Sequence, residues 1–357
     1  LAPSILAPCH SEPAWQDNGQ TLADSSAIAM FAPYGSGYVV ATTQGIYYTA
    51  SATDRYPVQL FDKPCRKLQV VGQQIFALCN VAHWKQTPRY KLYRAVDGQQ
   101  FLPVRKNYRI PDFDFTVNAA RDTFYIASRC SNYGCMVALP FSHQTDDWID
   151  TYLSSGPAYG KLPLYHLALG GNGSLLTFRP GHGMFIARDY GRSWRWVEES
   201  GVFKRYQTVP RFFADPMQGE IFFTLKEHAT SKNQASFAVI PGAGLRALKV
   251  AACGIDYSRL TLYGITHGGT LYGYDTQTHT VVLIQDRGRG EVTTYKQPFE
   301  GDIHIAGIQI DETKGELVIA INEMHLVKDQ YQANPLRASI ALYSYQMRSG
   351  WLMSISL

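Results

Sequence analysis

The chain has 357 residues, 45% of them hydrophobic and only 17% charged, so it can bury a sizeable core and is neither disordered nor fibrous. Its net charge of +4, from 33 basic and 29 acidic residues, is small and dispersed, which leaves no electrostatic footprint for nucleic acid. No apolar run approaches the roughly 18 residues that a spanning helix needs, so no transmembrane segment is expected. The sequence opens on Leu1 without Met, as expected of an exported protein after leader removal.

Residues 1–24 read as a polar, proline-containing N-terminal tail, and 25–357 as one domain without a Gly/Ser-rich linker. Short apolar and aromatic runs alternate with turn residues along that domain, and helical periodicity is almost absent, so the class is all-β. The runs come four at a time. Expected strands cover 27–31, 38–42, 45–49 and 58–61, then 66–71, 74–79, 90–95 and 100–104. A third unit spans 112–117, 123–128, 135–139 and 148–152, and a fourth 165–168, 175–178, 184–188 and 193–197. The fifth covers 211–214, 220–225, 236–240 and 245–250, and the sixth 255–257, 261–266, 269–274 and 280–285. The last covers 303–310, 316–321, 338–345 and 351–355, with a polar insertion over 324–336.

One turn stands out. Ala187-Arg188-Asp189-Tyr190-Gly191-Arg192-Ser193-Trp194 resembles the Asp-box of the sialidase-like (BNR) propellers, Ser/Thr-x-Asp-x-Gly-x-Ser/Thr-Trp, and departs from it only at Ala187. Asp accepts hydrogen bonds from the following amides, Gly supplies positive φ, and Trp folds back over the turn, so Asp189, Gly191, Ser193 and Trp194 are structural. Asp97-Gly98 with Phe101, and Trp148, are its decayed echoes. The resemblance and the repeat together imply a single β-propeller of seven four-stranded blades, with six as the alternative.

The six cysteines suggest three bridges: Cys65 with Cys79 across neighbouring strands, Cys130 with Cys135 around a short loop, and Cys9 with Cys253 pinning the tail. Disulfides point to a periplasmic or secreted protein. None of the ten histidines has metal-ligand spacing, so neither a metal nor a cofactor is expected.

Tyr108-Arg109-Ile110-Pro111 is similar to the Tyr/Phe-Arg-Ile-Pro motif of sialidases. That resemblance implies that Arg109 would bind a substrate carboxylate, with Arg211 and Arg129 as candidate helpers and Glu300 polarising a tyrosine nucleophile. The chain departs from the family in carrying one near-complete box and in placing this motif in its third unit. Surface aromatics are the other candidates, namely Trp84, Tyr133, Tyr331, Tyr34, Tyr56, Tyr159 and Tyr206, together with the basic turn around Arg287. The leading expectation is an exported, non-catalytic propeller that binds a protein partner as a scaffold, assembly factor or toxin-neutralising immunity protein. The alternatives are a divergent sialidase-like glycoside hydrolase and a lectin-like glycan binder.

Overall fold

The computed structural model describes residues 9–11, 27–52, 57–84, 87–104, 113–118, 123–130, 133–140, 149–152, 165–170, 172–179, 183–188, 194–197, 206, 211–227, 234–240, 244–296, 303–329 and 342–356. In chain order, a short strand β1 (Cys9–Ser11) precedes a sheet of β2 (Ile28–Tyr34), β3 (Gly37–Thr42), β4 (Ile46–Thr49) and β5 (Val58–Phe61). The next sheet joins β6 (Cys65–Val71), β7 (Gln74–Trp84), β8 (Thr87–Val96) and β9 (Gln100–Pro103). Then come β10 (Phe113–Asn118), β11 (Thr123–Cys130), β12 (Tyr133–Pro140) and β13 (Ile149–Tyr152). A further sheet holds β14 (Tyr165–Leu169), β15 (Leu175–Arg179), β16 (Gly183–Ala187) and β17 (Arg195–Trp196). It is followed by β18 (Phe212–Ala214), β19 (Ile221–Lys226), β20 (Gln234–Ile240) and β21 (Gly244–Leu248). The sheet of β22 (Leu260–Ile265), β23 (Leu271–Asp275), β24 (Thr280–Ile284) and β25 (Val292–Lys296) takes up β1 as a fifth, parallel strand. The last sheet has β26 (Ile303–Asp311), β27 (Glu316–Asp329) and β28 (Leu342–Ser356).

The chain divides into two compact units: 1–13, 80–93 and 102–297 form the first, and 14–79, 94–101 and 298–357 the second. Within the first, first strands pack beside first strands, β10 beside β14, β14 beside β18 and β18 beside β22. The alternation of β19 explains how such sheets stack. Ile221, Phe223 and Leu225 face Leu176, Phe178 and Met184 of one neighbouring sheet, whereas Phe222 belongs with Leu260, Leu262 and Leu271 of the other. Each fully buried Phe or Leu here is worth about 1.5–3 kcal/mol. Buried Asp114 supplies a polar tie, accepting the Leu167 amide at 2.8 Å and so joining β10 to β14.

The second unit uses the same devices. Ile28, Phe31, Tyr38 and Val40 pack on Ala306, Val318 and Ala320. Buried Asn322 of β27 accepts from the Ile28 amide and donates to the Ile28 carbonyl, both at 2.8 Å, which replaces a ladder contact between sheets. A disulfide joins Cys65 and Cys79, which stand opposite one another on β6 and β7.

The expectation of seven four-stranded blades is corrected: among the described residues five sheets have four strands, one has five and one has three. Two misread turns and the addition of β1 to β25 are responsible. Residues 255–257 are not a strand but a turn held by a bridge between Val250 and Asp256, so that sheet starts at β22 and its fourth strand is β25. In the last sheet the described part of the expected strand over 338–345, from Leu342 on, and the expected strand over 351–355 belong to one strand, β28, because Arg348, Ser349 and Gly350 form no turn. The polar insertion over 324–336 begins as a continuation of β27 to Asp329. Most of the expected tail, 1–24, lies outside the described residues.

Candidate functional site

Asp215 organises a turn between β18 and β19. Its Oδ1 accepts from the amides of Met217 at 2.8 Å and Gln218 at 3.2 Å, its own amide donates to the Glu220 carbonyl at 2.7 Å, and Gly219 takes φ +74°. The other carboxylate oxygen, Oδ2, accepts from Arg287 Nε at 2.6 Å. Asp215 is fully buried and the Arg287 side chain is 18% exposed, so this is a desolvated ion pair. Burial alone would raise the Asp215 carboxyl, but the Arg287 hydrogen bond, the two turn amides and the Arg287 charge outweigh it and hold the group below the usual carboxylate range.

Arg287 belongs to the connection between β24 and β25, where Asp286 (φ 47°), Arg287 (φ 54°) and Gly288 (φ 86°) are left-handed in succession. Only the glycine does this freely; each of the other two costs about 1–2 kcal/mol. The conformation is held from several sides. The Arg287 amide donates to Gly269 O at 2.8 Å, the amides of Arg289 and Gly290 close on Gln285 O at 3.2 and 3.0 Å, and the Tyr257 hydroxyl donates to Gly288 O at 3.3 Å. The Asp215 turn, the Gly269 turn and the 285–290 connection are thereby tied into one rigid cluster of the first unit. Its solvent side is formed by Met217, which is 72% exposed, with His267, Asp286 and Arg289 also exposed.

Sequence reasoning placed Arg287 on an open basic turn; the structure makes it the inner half of an ion pair. Arg211, beside the first strand β18, has its guanidinium 5.4 Å from the centre of the Tyr263 ring. Burial and then the Arg211 charge push the Lys226 ammonium down. Tyr206, taken as a loop aromatic, is 4% exposed and meets Phe237 edge-on at 6.3 Å. Tyr34 donates to Gln73 O at 3.3 Å. Trp194 packs against Tyr125, Leu167, Leu175 and Ala187. In the Asp97-Gly98 turn both residues have positive φ, and Phe101 stacks on Phe61 at 4.8 Å.

Arg109, Glu300, Tyr331, Asp189, Gly191, Ser193 and Trp148 lie outside the described residues, as do the side chains of Trp84, Tyr133, Arg129, Cys9, Cys130 and Cys135. Cys253 is disulfide-bonded, and the backbone of Cys9 pairs with Val292. Among the described residues no group of His, Cys, Asp and Glu could hold a metal ion, and no helix is long and apolar enough to cross a membrane.

A tyrosine and a glutamate do meet in the second unit, but not as a nucleophile needs. The Tyr38 hydroxyl donates to Glu316 Oε2 at 3.1 Å and lies 3.5 Å from Asp311 Oδ2, with Lys314 Nζ 4.4 Å from the ring centre. Burial, followed by the Glu316 and Asp311 charges, pushes the phenol up, away from the phenolate. Tyr38 is a buried donor that ties β3 to the turn between β26 and β27.

No protein-family model matches the chain, and no curated protein matches it in sequence. Solved structures do match in fold. YCF48 from Cyanidioschyzon merolae superposes with a TM-score of 0.56 at 8% identity, over 96% of this chain and 98% of that one. Streptogramin B lyase gives 0.58 at 10% identity, over 93% of this chain and 94% of that one. YCF48 bound to D1 peptide gives 0.57 at 10% identity, over 98% of each chain. The fold is a β-propeller. At these identities the likeness fixes the propeller architecture alone, and chemistry must come from this chain's own residues.

Proposed function

We propose that this propeller is an exported, non-catalytic binding protein, which recognises a protein partner through the cluster formed by the Asp215 turn, the Gly269 turn and the 285–290 connection. The carrying observation is that a 72% exposed methionine, Met217, stands on a turn whose amides are held by a fully buried aspartate, Asp215, which is itself paired with Arg287. Recognition residues on loops held by a rigid scaffold lose little entropy on binding. Methionine and arginine are enriched at such interfaces, and Met217 and Arg289 are the exposed pair here. The fold neighbour solved with a peptide, YCF48 bound to D1 peptide, supports a binding role for this architecture.

Export is supported by the bridge of Cys65 with Cys79 and by the bonded Cys253. Membership of the Asp-box propellers is supported by the near-complete box sequence over 187–194 and by the packing of Trp194 against Leu175 and Ala187. A scaffold, an assembly factor and a toxin-neutralising protein all have this chemistry in common, and the partner's identity distinguishes them.

The test is affinity capture from an extract of the native source with the wild-type chain and with Met217→Asp, followed by titration of the captured protein. We expect the substitution to weaken binding about tenfold or more while leaving the thermal midpoint in place. Equal affinity for both chains would remove this surface from the proposal.

A further inference from the structure

At the end of β19 away from the Met217 turn, polar side chains of three strands come together. β19 alternates without a bulge, so Thr224 and Lys226 share the face of Phe222, which packs on the sheet beginning with β22. Two hydrogen bonds cross to that sheet: the Leu262 amide donates to Thr224 Oγ1 at 3.2 Å, and the Thr261 hydroxyl donates to Gln234 Oε1 at 3.1 Å. Gln234 stands directly opposite Lys226 in the ladder of β19 with β20, so the two side chains are neighbours on one face.

Gln234 is only 8% exposed, and its two amide atoms fare differently. Thr261 fixes the oxygen, whereas Nε2 has no hydrogen-bond partner among the described residues. A buried donor left unpaired is destabilising and calls for a reason. Its neighbour Lys226 is half-buried, and burial, followed by the Arg211 charge, favours the neutral amine over the ammonium. That amine is the nucleophilic form of lysine. Arg211, Glu227, Arg259 and Tyr263 are the charged or titratable described residues on or next to these strands at this end.

We propose that Lys226 is a covalent capture site for small aldehydes and ketones, with the Gln234 amide as the donor that holds the carbonyl oxygen. The Nζ lone pair adds to the carbonyl carbon, and the carbonyl π pair moves onto oxygen, where the Gln234 Nε2 hydrogen bond strengthens as charge develops. The resulting carbinolamine then loses water, made of the former carbonyl oxygen and the two Nζ hydrogens, and leaves an imine. No oxidant or reductant is consumed. Because both side chains sit against a packed neighbouring sheet, the fitting carbonyl compound is one of a few heavy atoms. Capture is reversible and stoichiometric, and it lies at the other end of β19 from the Met217 surface, so either can fail alone.

Treating the full chain with acetaldehyde and cyanoborohydride, which reduces each imine to a stable ethylamine, tests the proposal by peptide mapping of the rate at every lysine. At pH 7 Lys226 should be labelled at least about tenfold faster than the exposed Lys249 and Lys296, and the advantage should shrink towards pH 10 as every lysine loses its proton. Arg211→Gln should reduce the advantage at pH 7 and leave the rate at pH 10 in place. Gln234→Leu should slow Lys226 at both pH values, because it removes the oxygen donor and not the charge; thermal melts confirm that each variant is folded, and Arg211→Gln decides alone if Gln234→Leu is not. Three results would overturn the proposal: labelling of Lys226 no faster than that of Lys249 and Lys296, an advantage as large at pH 10 as at pH 7, and an advantage untouched by Arg211→Gln.

Discussion

Two turns, one in each unit, are written in the same code. Asp215-Pro216-Met217-Gln218-Gly219-Glu220 and Asp311-Glu312-Thr313-Lys314-Gly315-Glu316 both connect the first and second strands of a sheet. In both, Oδ1 of the aspartate takes the amides two and three residues on, and the glycine is left-handed, at φ +74° and +62°. They differ in where the rest of the motif goes. Asp215 Oδ2 pairs with the Arg287 guanidinium, while Asp311 Oδ2 meets a partly exposed Lys314 at 3.4 Å and the Tyr38 phenol. Glu316 accepts from that phenol, whereas Glu220 sits 4.0 Å from Arg246 without a hydrogen bond to its Oε2. One local turn thus serves two purposes: in the first unit it holds a strained connection in place, and in the second it locks a buried tyrosine.

Removing the aspartates should break the likeness most visibly. Asp215→Ala leaves a largely buried guanidinium unpaired beside a strained segment and should cost about 3–5 kcal/mol in denaturant unfolding. Asp311→Ala strips partners that are a lysine with water access and a phenol, and should cost about 1.5–3 kcal/mol. Tyr38→Phe, which keeps the ring and removes one donor, should cost about 1–2 kcal/mol. A cost for Asp311→Ala as large as that for Asp215→Ala would mean that the ion pair with Arg287 is not what distinguishes the turns.

The glycines separate the turns next. An added Cβ on Gly315 meets nothing within 4 Å, so Gly315→Ala should cost only the left-handed penalty of about 1 kcal/mol. On Gly219 it would come within 3.0 Å of the Asn172 side chain and 3.2 Å of its amide, so Gly219→Ala should cost clearly more in the same thermal melt.

Acid should reveal what the turns have in common. Both carboxyls are held below the usual range in the folded chain, Asp215 mainly by Arg287 against burial and Asp311 by the Thr313 and Lys314 donors against burial. A lowered folded pKa means that the stabilisation is complete above the unfolded value of about 3.9 and is lost as the pH falls through the folded one. Stability measured between neutral pH and about pH 3 should therefore fall less steeply in Asp215→Asn and in Asp311→Asn than in the wild type.

Much of this was legible in the sequence. The apolar runs place β18 to β21 within two residues of their expected positions, because β19 and β20 are largely buried on both faces and the half-buried β18 and β21 flank them. In the sheet of β22 to β25 the strand β25 escapes the sequence reading because two non-glycine residues before it, Asp286 and Arg287, take a left-handed path that no composition rule anticipates. Gly350 lies within a continuous strand, so the runs on either side of it, which read as two strands in the sequence, are one among the described residues. The repeated Asp-x-x-x-Gly-Glu motif was present in plain view. Its significance depends on Arg287 and Tyr38, which lie 72 and 273 residues away from their aspartates and which no local pattern connects to them.

The proposed docking of a protein on the cluster bearing Met217 stands or falls on one measurement. Titrating the captured partner against wild type and Met217→Asp, with thermal melts of both chains, tests it most directly. An affinity loss of about tenfold or more at an unchanged melting temperature is expected; undiminished affinity in the variant would contradict the docking surface.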